Sequence, residues 1–338
     1  MSQDLVYKPR VIIDGIEIVY IQTIQLAMRG NSTIHTLSVT CSSHGIRESS
    51  LFGKKISLFL NCGSEDGSPI FVGYIKEVNT DEKTLKISAL DVRCLLQDSS
   101  KPINLTDDEN LDGDTLGSFL NKYIKDYINT DGETYINTNM LNDTHPKVTL
   151  NGLRGTFTPY QIVQDLLEKT TDSENLQEPL DYSIDVFEDS IYFKKKQSLE
   201  STPSLSLSEY NGIKSYTYKE RVPKFVGGYD NKIFKYGSNP SGPFSVQSVK
   251  TTGKFPAEKR QDVYLDILKE LTNTQEITVN ANIGHYIDLE SIIRLEVEDS
   301  NISGPHRVVN KSINYSKGSM NLQLGLNKKR TLLKSYIS

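Results

Sequence analysis

Over the first hundred residues, apolar and polar positions alternate with a period of two. The runs are "RVIIDGIEIVYIQ", "IHTLSVTCSS", "KKISLFLN", "IFVGYIKEV" and "KTLKISALD", with Gly, Asn, Asp and Ser between them. Each run predicts a half-buried strand. Their even spacing and hairpin-length links predict a small β-barrel domain over residues 1–100.

The period changes after Lys101. In "DTLGSFLNKYIKDYI", Leu116, Phe119, Leu120, Tyr123, Ile124 and Tyr127 recur at helical spacing, with Asp114 at the N-cap position. In "TFTPYQIVQDLLEKTT", Thr158 and Gln161 have the spacing of a capping box and Pro159 takes the first helical position. Ile162, Val163, Leu166 and Leu167 form its apolar face. "LDYSIDVFEDSIYFKKK" alternates again and predicts a hairpin turning at Glu188 to Ser190. Residues 101–203 therefore read as an α+β middle domain.

After the Ser-rich link "SLESTPSLSLSEYNG", strands return and predict a second β-barrel domain over 204–338. A loop and helix insertion interrupts it around 231–274, where "AEKRQDVYLDILKEL" offers Val263, Tyr264, Ile267, Leu268 and Leu271 as one face. The fold class is mainly β with α+β insertions: two similar small β-barrel domains plus inserted helices.

The two β regions show the same pattern at an offset of 237, the difference between Ile56 and Ile293. The same offset pairs Leu58 with Leu295, Leu60 with Val297, Phe71 with Val308, Val72 with Val309, Leu85 with Leu322 and Ile87 with Leu324. It also places Gly73 on Asn310. A glycine inside a strand marks a bulge, a sharp bend or a close backbone approach. Gly73, near Phe71 and Tyr74, is suited to the bend that closes a small barrel.

A length of 338 residues predicts two or three domains at about one per ~150 residues, and 36% hydrophobic content is enough for real cores. Lys and Arg total 38 against 43 Asp and Glu, a net charge of −5, which argues against a surface built to hold phosphates. Three cysteines, Cys41, Cys62 and Cys94, form no CxxC and read as reduced thiols. No run approaches the ~18 apolar residues of a spanning helix, so no membrane insertion is expected.

Candidate chemistry is sparse. Asp108, Asn110, Asp112 and Gly113 match the first half of a calcium loop, but Phe119 stands where the bidentate glutamate should be. His35, His44, His145, His285 and His306 are scattered, with no HExxH. GxSxG, Walker and GxGxxG signatures do not occur, and the run Lys194 to Lys196 reads as a strand end. A carboxylate pair for glycoside hydrolysis has no sequence spacing of its own, so "LEVEDS" and "FEDS" leave that alternative open. The expectation is a non-enzyme with no catalytic residue, metal or cofactor.

"IFVGYIKEV", the turn "NTDEK" and "TLKISALDVRCLL" place Phe71, Gly73 and Ile75 on one strand and Asp91 at the end of the next, before a short helix. This arrangement resembles the hub proteins of phage tails and baseplates, the late control proteins of temperate phages and the heads of type VI secretion spikes. "GPHRVVNKSINYSKGSMNLQLGL" is similar to the closing hairpin of that family's second barrel. The resemblance implies a homotrimer whose six barrels form a pseudo-sixfold ring, joining a hexameric tail tube to a trimeric spike among other baseplate proteins. It implies a virion protein made in the host cytoplasm, with DNA passing through the channel without specific binding. Phe71, Gly73, Ile75 and Asp91 then serve the barrel hairpin. The chain carries no lysozyme-like insert and ends at Ser338 just after the second barrel, so the spike is expected to be a separate chain. The alternatives are a tail-tip cell-wall hydrolase and a carbohydrate-binding β-protein. The lack of Trp, with 18 Tyr, weakens the last.

Overall fold

Alternation becomes sheet wherever one side of a strand can be buried, and the first β region shows this strand by strand. The structure, a computed structural model, describes residues 8–30, 33–43, 51–61, 67–97, 102–105, 115–130, 132–141, 155–169, 182–195, 201–221, 225–227, 233–235, 246–248, 274–298 and 302–326. Strands β1 (Lys8–Ile13), β2 (Ile16–Glu17), β3 (Ile21–Arg29), β4 (Thr36–Ser42), β5 (Lys55–Asn61), β6 (Phe71–Thr80) and β7 (Thr84–Asp91) form this region. The single run expected from Arg10 to Gln22 is broken at Asp14 and Gly15, both at positive φ, and a separate strand runs on to Arg29. A 3₁₀ turn, Val92–Gln97, follows Asp91.

The middle region holds β8 (Ile103–Leu105), helix α1 (Leu116–Tyr123), a π-helical turn at Ile124–Ile128, β9 (Gly155–Phe157), helix α2 (Pro159–Lys169), β10 (Tyr182–Phe187) and β11 (Ser190–Lys195). Thr115, not Asp114, caps α1: its side chain accepts from the Ser118 amide, three residues on. Tyr127 is half exposed, because the π turn carries it off the apolar face. The Thr158 capping box forms in both directions, Gln161 N to Thr158 Oγ1 at 3.2 Å and Thr158 N to Gln161 Oε1 at 2.9 Å. The β10–β11 hairpin turns at Glu188, which has φ 54°.

The second β region comprises β12 (Leu205–Ser208), β13 (Ile213–Arg221), β14 (Phe225–Gly227), β15 (Ile233–Lys235), β16 (Val246–Ser248), β17 (Thr274–Ala281), β18 (Ile292–Glu296), β19 (Gly304–Ser316) and β20 (Ser319–Leu326). The Ser-rich link is partly a strand, for β12 pairs parallel with β18 and buries Leu207. The expected third helix, the 108–113 loop and Cys62 lie outside the described residues.

Both β regions belong to one 13-stranded sheet joined where β19 pairs with β3, and their side chains share one hydrophobic cluster. A second cluster, including Val92, Leu96, Leu116, Leu120, Val163, Ile184 and Ile191, organises the middle region.

The two β regions are copies in register. The spatial order β3-β4-β7-β6-β5 recurs as β13-β17-β20-β19-β18, and the chain visits the strands in the same sequence each time. A bulge between Ile21 and Thr23 recurs between Ile213 and Ser215, and one between Ile75 and Glu77 recurs between Val308 and Asn310. Ser42 N donates to Tyr20 O as Asn282 N donates to Gly212 O. Gly53 N to Ile75 O and Ile75 N to Lys54 O recur as Glu290 N to Val308 O and Val308 N to Ser291 O. Even the left-handed residues correspond: Tyr20 with Gly212 and Gly53 with Glu290.

These correspondences keep the offset of 237 for β5 and β7 but change it to 233 for β6. Ile75 is the counterpart of Val308, Phe71 of Gly304, Val72 of Pro305 and Gly73 of His306, in place of the ungapped pairs expected above. A four-residue slip preserves the two-residue alternation, so the hydrophobic pattern cannot register it.

Candidate functional site

The residues singled out by sequence meet at the end of the β6–β7 hairpin. Gly73 lies opposite Ile56 of β5 and Asp91 of β7. A Cβ on Gly73 would overlap the Leu90 carbonyl oxygen and stand 2.7 Å from the Leu90 carbonyl carbon and 2.9 Å from Phe71 Cζ. Close approach of Leu90 accounts for the glycine, whereas the bulge of β6 falls after Ile75. Phe71 and Ile75 are buried in the shared cluster.

Asp91 ends β7 and is the anchor of a buried node with Arg93, which the sequence did not single out, and His35, which stood there only among the scattered histidines. The Arg93 guanidinium grips the Asp91 carboxylate, Nη2 to Oδ2 at 2.6 Å and Nε to Oδ1 at 3.1 Å, and the Arg93 amide donates to Oδ1 at 2.9 Å. The His35 amide donates to Asp91 Oδ2, and the Asp91 amide donates back to the His35 carbonyl at 3.1 Å. Arg93 also donates to the carbonyls of Ile184 and Thr33, both at 2.8 Å. One side chain thus ties the end of β7 to the loop before β4 and to strand β10 of the middle region.

Burial opposes charge throughout the node, but the pair sustains it. Burial raises the Asp91 carboxyl, and the charge and hydrogen bonds of Arg93 outweigh this, leaving it below the ordinary value. Arg93 is held above its ordinary value by the same partner, again against burial. Burial, then the Arg93 charge, pulls His35 down to about 3, so the imidazole is neutral, and its Nε2 has no partner among the described residues.

A cavity of about 220 Å³ opens beside the node, lined by His35, Phe71, Asp91, His285 and Lys311 among others. The Lys311 ammonium donates to the carbonyls of His285 and Ile287 at 2.9 and 2.8 Å, and burial pulls it down to about 8. Burial pushes the Cys94 thiol up to about 12, away from the reactive thiolate. A base near pKa 3 beside a carboxylate already gripped by a guanidinium is a poor proton acceptor at neutral pH. Among the described residues, no three His, Cys, Asp or Glu side chains group closely enough to hold a metal ion, and no helix is long and apolar enough to cross a membrane.

The second feature of the hairpin is its open side. β7 flanks β6 along its length, but β5 pairs only with Phe71–Tyr74, so Lys76–Thr80 have a free edge among the described residues.

No family model and no curated protein matches the chain. Solved structures do. It is similar to a tail protein from Neisseria meningitidis MC58, with a TM-score of 0.64 at 10% identity, covering 98% of this chain and 99% of that one. The 43 kDa tail protein of prophage MuSo2 from Shewanella oneidensis also gives a TM-score of 0.64, at 11% identity, over 96% and 98% of the two chains. The E. coli c3393 protein, a type VI secretion component described as structurally similar to the T4 tail proteins gp27 and gp5, gives 0.55 at 9% identity over 95% and 77%. With two in-register copies of one β unit around an α+β insertion, and end-to-end likeness to both tail proteins, the chain has the tail-hub fold.

Proposed function

We propose that the chain is the structural hub of a phage tail, a baseplate or a related injection device. Three copies close into a ring that presents six similar β units to a hexameric tail tube and a threefold face to a spike. The observation that carries this reading is the duplication itself: two copies matched bulge for bulge let a threefold assembly meet a sixfold partner. Cyclic closure then sets the first β region of each copy against the second region of the next, a heterologous interface. DNA passes through the channel without specific binding, in keeping with a net charge of −5.

The role is structural, not hydrolytic. The purified chain is expected to leave peptidoglycan intact in a clearing assay and to bind the end of a tail tube assembled from tube protein. Clearing of cell-wall substrate, or no binding to tube ends, contradicts the hub reading.

A further inference from the structure

Among the described residues the two β units share one completed seam, and two further strand edges correspond to its halves but pair with nothing. In the completed seam, β19 pairs with β18 over its first residues, passes its bulge, and then pairs with β3 from Asn310↔Arg29 to Ser316↔Thr23. The counterpart of β19 is β6, which pairs with β5, passes its bulge, and then meets no strand among the described residues. The counterpart of β3 is β13, which pairs with β17 on one edge and with no strand on the other among the described residues.

We propose that β6 of one copy pairs antiparallel with β13 of the next, repeating the β19–β3 seam between chains and closing the cyclic trimer on which this pairing rests. Transferring the β19–β3 register through the two structural offsets places Glu77 opposite Arg221, Asn79 opposite Lys219 and Thr80 opposite Tyr218.

The residues fit that register. On one face Lys219 stands opposite Asn79 and diagonal to Glu77 and Asp81, so a base sits between two acids. Asn79 Nδ2 already donates to the exposed Glu77 carboxylate at 2.9 Å, holding it over the edge. On the other face Tyr218 stands opposite Thr80 and diagonal to Val78, and Val78 and Tyr218 are both partly buried against the shared cluster, so the apolar contact crosses the new seam on the diagonal. Beside the completed seam Leu289 is 3% exposed, whereas its counterpart beside the open edge, Phe52, is 71% exposed. An open strand edge is an aggregation hazard, which a second copy of this chain in this register removes.

The test is a disulfide across the seam in the full-length chain. Asn79→Cys and Lys219→Cys are combined with Cys62→Ser and Cys94→Ser, and the protein is oxidised with diamide over a range of concentrations. Directly opposite residues of antiparallel strands meet the distance a disulfide requires. The expected result is covalent dimers and trimers on a non-reducing gel and nothing larger. The off-register pair Asn79→Cys with Ser215→Cys should give at least ~10-fold less product, because four residues along a strand is ~13 Å. Lys219→Glu alone should abolish assembly, and adding Glu77→Lys with Asp81→Lys should restore it. A native trimer without the in-register cross-link overturns the pairing and leaves the hub reading standing. In-register links that run past three chains uphold the pairing and overturn the threefold closure. A cross-link within one chain overturns the proposal.

Discussion

Leu90 places its carbonyl oxygen where a Cβ on Gly73 would stand, near the start of the strand that carries the open edge. Any side chain at 73 must push β6 away from β7 or displace Phe71. Gly73→Ala is predicted to lower stability by ~1–3 kcal/mol, the usual cost of overpacking, and by more if the strand cannot shift. Gly67→Ala, at a position with open space and no positive φ, should stay within ~0.5 kcal/mol. Thermal melts of the two variants compare them directly, and equal melting temperatures contradict the close approach.

Arg93 holds a charge that the interior would otherwise reject. Arg93→Met strands the Asp91 carboxylate and two carbonyls, and should cost ~3–5 kcal/mol by urea titration. Asp91→Asn combined with Arg93→Met should cost less than the sum of the two single changes, because the residues act as one unit. Additive costs would show that they do not.

Acid should unfold the chain in part through His35. Its pKa is 6.5 in the unfolded chain and about 3 when folded, so the unfolded state binds more protons between those values. The contribution is complete above pH 6.5 and is lost as pH falls toward 3, at up to ~1.4 kcal/mol per pH unit. His35→Gln should flatten that limb of the stability curve. Lys311, at about 8 folded against 10.5 unfolded, gives the same sign in another window, with stability rising as pH climbs from 8 to 10.5. An unchanged acid limb in the His35→Gln variant would contradict the assignment.

Two side-chain caps start the helices of the middle region. Thr158→Ala removes one half of a reciprocal box and Thr115→Ala the bond to Ser118, each worth ~1 kcal/mol. Circular dichroism melts should show both losses. No change for Thr115→Ala would return the α1 cap to another residue.

The parts of the fold legible in the sequence were those set by local pattern. Alternation found β4, β5, β6 and β7, and the capping box located α2 because its two halves lie three residues apart. The duplication was visible, but Gly73 was set against Asn310 and not His306, since a four-residue slip leaves every side chain on its own face. Of the buried node only Asp91 stood out. Arg93 and His35 are polar residues inside strand-rich text, and only the fold brings His35 to a carboxylate 56 positions away. The edge of β6 is likewise a property of pairing, since nothing in "KEVNT" itself distinguishes a covered strand from an open one.

Threefold closure is tested by the copy number and symmetry of this chain in an assembled tail, by electron cryomicroscopy imposing no symmetry. Three copies in one ring, six similar β units around the channel, and β6 of each copy beside β13 of the next are expected. Six copies in the ring, or one β unit per chain facing the tube, would contradict it.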